Sequence, residues 1–520
     1  MRTTIRAACA TLLPAIAVLL TLIFCSYRAG FISVSCDEFA KMMIASRGLD
    51  QPSQWFAYVW LPLHLVMIGV TSLATGDLFL ASRLISIIFG IVLVVALWGI
   101  GRQLAGVWGG ALAAILGATH PLVVVLSATA MVDICYVATL VLGVSFYLRF
   151  SHAQAPRPRT LFAACSLFTL SCAFHYNAWI AVLLMVPLLL RDLVVGRVSR
   201  PIMVAGLVIV GSVPCGWIGW NWIETGNPLA FFSAHSDYSA NFWAHNGWHA
   251  SAGAGAEALF ASIRVYSPLI AILTLAAVGA LFGRTQTGPR PRILWALLLG
   301  FLAALVGLYA TGGRPAAFEP RYILLPSVLM ISIVSAAIFR LGVAGNRQIR
   351  AFLVLLSLAA VIFNLRLWRD AIEINKKLNH YAYTAEAQKI ARRMPGLRSK
   401  HAPRMVLEIK AWNFLELPVF LNRDDAILAD RDLRADSVHH FDNRSILLGE
   451  REPVLAELRV KGVGFVALWS PEVRAHVKLW GLERVAQAAS YTIYRIPRAP
   501  GQSELTAKNE LSALGGAHRR

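Results

Sequence analysis

The chain has 520 residues, 57% of them hydrophobic and only 15% charged, with a mean hydropathy of +0.61. A soluble domain carries about 25% charged residues, so the composition excludes one and marks a polytopic membrane protein. The net charge of +20 raises nucleic acid as a partner, but the arginines sit in short loops between apolar runs, without a basic, aromatic-interleaved module, which excludes that class and leaves membrane topology as the reading.

The first apolar run, 8–25, follows Arg2 and Arg6 and has no small-x-small cleavage site after it, so it is expected to stay as an uncleaved helix. At about 20 apolar residues per span, fewer where a partner helix shields the segment, further spans are expected at 79–101, 106–120, 134–150, 160–174, 177–190, 201–222, 264–282, 291–310, 321–340 and 350–366. Residues 58–75 are apolar enough to cross as well. Counting them would move every later arginine cluster to the opposite side, so they are read as a helix along the outer interface, with Trp55, Trp60 and Pro62 near its start.

With that threading, Arg102, Arg149, Arg157, Arg159, Arg191, Arg197, Arg200, Arg284, Arg290, Arg292, Arg340, Arg347 and Arg350 all join the basic N-terminus on one side, the cytoplasm. The expected fold is mainly α: a transmembrane bundle of eleven helices over 1–366 with an outer loop at 26–78. A small α/β domain outside the membrane follows over 367–500, and a polar tail, read as disordered, over 501–520. The α/β reading rests on short apolar runs at 405–409, 418–421, 463–469 and 491–496 among helix-like stretches such as 454–461. The seven cysteines show no disulfide framework and no zinc-type spacing.

The polar residues on the outer side are the candidates for chemistry. Asp37 and Glu38, in CDEFAKMM, can start a surface helix or serve as carboxylates in a site. Asp133, in an otherwise uncharged run, can cap the following helix or be a second site carboxylate, since an acid there is expensive unless paired or wetted. Arg83 and Arg321 can snorkel to lipid headgroups or clamp a phosphate, for which a guanidinium is well shaped. His64 and His175 read first as polar interface residues. His235, Asp237, His245 and His249 could hold a metal, against which stands the Ser, Ala and Gly richness of their loop; no cofactor is firmly implied and a divalent metal stays open. Glu319 can pair with Arg314 or Arg321, Thr225-Gly226-Asn227-Pro228 signals a turn that lays Phe231 and Phe232 on the membrane surface, and Asn443-Arg444-Ser445 matches a glycosylation sequon.

In order, CDEFAKMM, WLPLHL, ASRLISIIFGIVLVVALWGIGRQLAG, HPLVVVLSATAMVD, ETGNPLAFF and EPRYILLP resemble the C superfamily of membrane glycosyltransferases. The resemblance is to the bacterial branch related to protein O-mannosyltransferases and to the lipid A aminoarabinose and galacturonic acid transferases, and it covers about residues 1 to 366. It implies a polyprenyl-phosphate sugar donor, an acceptor that is lipid A, another glycan or a protein, and reaction at the outer face of a bacterial inner membrane. It further implies Asp37 as general base with Glu38 as helper or alternative, and Asp133 as the second outer acid. Arg321 would be the first phosphate contact, beside Tyr322, with Arg83 a weaker one. His175 is grouped with these substrate contacts, and His64 or an arginine would replace the lysine that aminoarabinose-transferase relatives carry after the outer acid, because Val59-Trp60-Leu61-Pro62-Leu63-His64 has none. Direct displacement would invert the anomeric centre. A transporter or flippase is the alternative; it predicts repeated halves, and the sequence shows no repeat.

Overall fold

The computed structural model describes residues 2–56, 60–234, 251–282, 290–310, 320–344, 347–377, 379–410, 413–431 and 444–497. The chain divides into two compact units. The first comprises Met1–Phe31, Phe56–His64 and Arg83–Glu373; the second comprises Ile32–Trp55, Leu65–Ser82 and Ile374–Arg520. Most of the segment read from sequence as an outer loop thus clusters with the C-terminal region.

In chain order the helices are α1 (Arg2–Arg28), α2 (Asp37–Asp50), α3 (Pro62–Thr75), α4 (Leu78–Thr119), α5 (Pro121–Ser127), α6 (Asp133–Ser151), α7 (Pro158–Phe174), α8 (Tyr176–Val194) and α9 (Arg200–Thr225). They continue as α10 (Ala252–Tyr266), α11 (Pro268–Phe282), α12 (Arg290–Ala310), α13 (Leu324–Ala344) and α14 (Arg347–Lys377). Among the described residues, eight helices are singly long and apolar enough to cross a membrane, and α10 with α11, bent by 104°, passes the same test only as a pair, as a broken span or a re-entrant loop does. The polytopic reading holds.

The eleven spans expected from sequence each meet a helix, because α4 is two spans. Its 42 residues break at Ala105 and Gly106, where Gly106 takes φ 77°, a left-handed value that suits glycine. Beyond the break the chain turns back: a Cβ on Gly101 would lie 2.5 Å from the Gly109 carbonyl oxygen, one on Gly110 would lie 2.8 Å from that of Trp98, and Gly117 abuts Leu97. Residues 97 and 117 would be about 30 Å apart in a straight helix. The hairpin closes on its glycines, which let two backbones approach where any larger side chain would hold them apart. α3, with 14 residues, reaches about 21 Å, close to the length of the second limb of α4, so length alone does not set the two apart.

Polar side chains tie the first unit at its bends. The joint between α10 and α11 is held by Ser267, whose hydroxyl lies 3.0 Å from His120 Nε2 and 2.8 Å from Ser327 Oγ, all three buried. Tyr27 donates to the Ala128 carbonyl at 3.0 Å and Trp368 to Ser26 at 3.0 Å, fixing α1 against α14 and the chain after α5.

In the second unit, α15 (Asn379–Arg393), α16 (Asn413–Leu421), α17 (Arg451–Val460) and α18 (Pro471–Lys478) accompany a five-stranded sheet of order β2-β1-β3-β5-β4. Its strands are β1 (Arg404–Leu407), β2 (Ile427–Ala429), β3 (Val463–Leu468), β4 (Glu483–Ala488) and β5 (Tyr491–Arg495). β1 runs parallel to β2 and β3, and β5 is antiparallel to β3 and β4. Alternation along the strands sorts two cores. Met405, Leu407, Phe465 and Ala467 pack with Ile390, Leu417 and Leu421 of α15 and α16; Val406, Val466 and Leu468 pack with Leu455, Leu458, Val473 and Val477 of α17 and α18. The α/β expectation is met, although the apolar run 418–421 is the end of α16 and not a strand.

Candidate functional site

In the first unit, Asp133 is the first residue of α6, where unsatisfied N–H groups and the helix dipole favour a negative charge. Its side chain is 0% exposed, and neither oxygen has a hydrogen-bond partner among the described residues. Nor does it cap the helix: the N-cap is Val132 and no side-chain cap bond forms. An unpaired buried carboxylate costs several kcal/mol, so this one has not been placed for stability.

Two residues before it, the Met131 sulfur lies 3.6 Å from Arg321 Nη1. Arg321 sits in a 3-10 turn (Pro320–Ile323) that leads into α13, and its guanidinium lies over the ring of the buried Tyr322 at 5.4 Å. One turn along α6, Tyr136 stacks on His175 with ring centroids 5.0 Å apart. His175 caps α8, its Nδ1 accepting the Asn177 N–H at 3.0 Å, which leaves Nε2 to carry the proton of the neutral ring. The structure therefore brings Arg321 beside Met131, two residues before Asp133, and His175 beside Tyr136, three residues after it. Arg83 is 3% exposed and His64 is buried, so neither behaves as an interfacial group reaching out to headgroups.

ETGNPLAFF builds the turn its composition predicts. Gly226 ends α9 at φ 71° and Asn227 Oδ1 accepts the Leu229 N–H at 3.0 Å. Phe231 then stacks on Tyr176 at 4.8 Å and meets Trp179 edge-on, while Phe232 stays exposed.

In the second unit, the helix that opens with Asp37 and Glu38 is no surface helix. Phe39, Met42, Met43, Ile44 and Ala45 are buried, and Trp55 closes over Gly48 while donating to the Ala45 carbonyl at 3.2 Å. Burial separates the two acids. Glu38 is 0% exposed and its Oε1 accepts the Val34 N–H at 2.8 Å, whereas Asp37 is partly exposed. Lys41, spaced i+4 from Asp37 and i+3 from Glu38, lies one turn along the same side and is 3% exposed. Sequence reading passed over it, although its spacing from the acids was there to be read. Glu416 of α16 and Thr384 of α15, taken up below, lie too far along the chain for any local pattern to connect them with α2.

His235, Asp237, His245, His249, Arg314, Glu319 and Asn443 lie outside the described residues. Among the described ones no group of three His, Cys, Asp or Glu is arranged to hold a metal.

A family model described as dolichyl-phosphate-mannose-protein mannosyltransferase matches residues 59–220. No curated protein matches by sequence. Among solved structures, ArnT from Cupriavidus metallidurans bound to undecaprenyl phosphate shares the fold at TM-score 0.60 and 12% identity, over 95% of this chain and 99% of that one. The Archaeoglobus fulgidus oligosaccharyltransferase tethered with an acceptor peptide aligns at TM-score 0.56 and 11% identity, over 89% of this chain and 69% of that one. The arabinofuranosyltransferase AftD from Mycobacteria aligns at 0.54 and 16%, over 94% and 40%.

Proposed function

We propose that this multi-pass membrane protein, whose fold is that of the C-superfamily glycosyltransferases, moves a sugar from a polyprenyl-phosphate carrier to an acceptor. The observation that carries the reading is Asp133: a carboxylate in a membrane bundle, fully buried and unpartnered among the described residues, at the helix end where Arg321 also arrives. Ionisable groups in such places are retained for function, since stability alone would replace them. The family model over 59–220 and the folds matched over most of the chain support the same class, and they do not favour a transporter.

Asp37, the more accessible of the two first-loop acids, is the general base. It takes the proton of an acceptor hydroxyl as the acceptor oxygen bonds to the anomeric carbon. The bond from that carbon to the carrier phosphate breaks, and the leaving phosphate keeps the electron pair. One displacement inverts the centre. Arg321, with Arg83 as a second cation, stabilises the phosphate as its charge develops, and Asp133 orients the donor sugar. Glu38 holds the start of α2 through Val34. The acceptor is lipid A, another glycan or a protein, and the reaction takes place at the outer face of the inner membrane.

The test is transfer by purified full-length protein supplied with radiolabelled undecaprenyl-phosphate sugars and an outer-membrane glycolipid extract. Wild type is expected to transfer label from one donor, with Asp37→Asn and Asp133→Asn each reduced by about 10²-fold or more. Full activity in Asp37→Asn would remove it as the base.

A further inference from the structure

Glu416, in the first turn of α16, is a carboxyl group that this reaction scheme does not use. It is 0% exposed, and its Oε1 accepts a hydrogen bond from Thr384 Oγ1 on α15 at 2.9 Å. The Thr384 hydroxyl in turn lies 3.4 Å from Ser33 Oγ, four residues before Asp37. Phe39 of α2 meets Phe420 of α16 at 5.5 Å between ring centroids. The acid-bearing start of α2 is thus bound into α15 and α16 through hydroxyl and carboxyl groups with almost no access to water.

Two carboxyl groups in this dry region cannot both ionise cheaply. Burial is the main reason Glu416 keeps its proton, pushed up to about 8; the Thr384 hydrogen bond works against it, and the charges of Glu38 and Glu386 add to the upward push. Other charges lie on the elements packed against α16, among them Lys41, a buried cation one turn along α2 from Glu38. Lys410 pairs with Glu386 at 3.2 Å, and Arg47 of α2 reaches Asp424 at 3.9 Å. Arg398, in the 3-10 turn after α15, donates to the Phe420 carbonyl at 3.4 Å. Asp37, Lys41 and Asp50 are the other charges of α2, and Lys389, Arg392 and Arg393 those of α15.

We propose that Glu416 is a positioning residue for the transfer reaction: in its protonated form it locks the start of α2, and with it Asp37, against α15 and α16, and its ionisation releases that lock. The catalytic consequence rests on Asp37 as general base. The lock itself can be read without turnover. Ionised, Glu416 would face the Glu38 carboxylate as a second buried anion, and the cheapest relief is for the start of α2 to open towards water.

The experiment is hydrogen–deuterium exchange of the full chain in nanodiscs at about pH 6 and about pH 9, corrected for intrinsic rates, followed in peptides covering 33–50. Wild type is expected to lose about tenfold of its protection there at the higher pH, while peptides of β1 and β3 stay unchanged. E416Q, which keeps the shape and cannot ionise, is expected to hold its protection at both values. E38Q, which removes the charge that an ionised Glu416 would face, is expected to hold its protection at both values as well, and it provides the answer if E416Q does not fold. Protection that is independent of pH in wild type, or lost equally in E416Q, would overturn the proposal. In transfer assays with the undecaprenyl-phosphate sugar that wild type accepts, activity is expected to fall across the same pH range in wild type and not in E416Q. A lock that opens while transfer stays level would overturn the positioning role. The expected exchange with no transfer from any donor would support the lock and count against the glycosyltransferase reading.

Discussion

Glu38→Gln preserves an oxygen that can accept the Val34 N–H, so it is expected to cost transfer less than about tenfold, whereas Asp37→Asn removes the proton acceptor and is expected to cost about 10² to 10⁴ in initial rate at saturating donor. The ratio between the two variants checks the assignment. Sequence could not make it, because both acids fall in one helical turn and only burial tells them apart. Glu416 also carries a stability signature. Its folded pKa is raised, so it binds a proton that the unfolded chain has already released; its contribution is complete below the unfolded value of 4.5 and is lost as pH rises to about 8. Thermal unfolding of wild type is expected to drop relative to Glu416→Gln across that window. Asp425 behaves in the opposite sense: the Arg423 guanidinium at 2.7 Å holds its carboxyl below the ordinary range, so its contribution is present above 3.8 and is lost on acidification. Arg423 also donates to the Ala402 carbonyl at 2.8 Å and the Leu397 carbonyl at 3.3 Å, and Arg423→Ala is expected to destabilise the second unit by about 2 to 3 kcal/mol, measured by denaturant unfolding.

Among elements, the spans were readable because apolar runs and arginine-bearing connections punctuate the chain at membrane length. The short reversal inside α4 was readable for the same reason: its 42 residues, with Arg102 between two apolar runs, are too many for one span. What composition did not reveal is how closely the two limbs pack. Gly101→Leu is expected to push the backbones apart and destabilise the hairpin by about 1 to 3 kcal/mol, seen as a lower melting temperature and reduced yield of monodisperse protein; Gly76→Ala, with open space around its Cβ position but a left-handed φ of 67°, is expected to cost less, about 1 kcal/mol. The burial of α2 was also hidden, because its sequence mixes charged and apolar residues and the groups that cover it, such as Phe420 and Trp55, come from other parts of the chain.

For the molecule as a whole, the division into a membrane bundle and a C-terminal α/β region followed from the change in charge density after about residue 367. The clustering of Ile32–Trp55 and Leu65–Ser82 with that region did not, since it depends on contacts separated by hundreds of residues. Undecaprenyl phosphate is expected to raise the unfolding free energy of the full chain by about 2.7 kcal/mol at a hundred times its Kd, and Arg321→Ala to remove most of that gain at the same concentration. Calorimetric unfolding in detergent with and without the lipid checks it. The orientation read from the arginines predicts that a cysteine placed at Lys478, on the described end of α18, reacts with a membrane-impermeant maleimide in intact spheroplasts.

The α4 reversal also bears on how the chain is made. Its second limb, residues 107–119, spans about 20 Å, well short of the roughly 30 Å of hydrocarbon it has to cross. Lipid alone would accommodate that limb poorly, whereas the first limb offers it a glycine-lined partner within two residues of chain. The two limbs are therefore expected to leave the insertion machinery as a pair, once the second has emerged from the ribosome, and a truncation ending between them is expected to leave the first waiting for its partner.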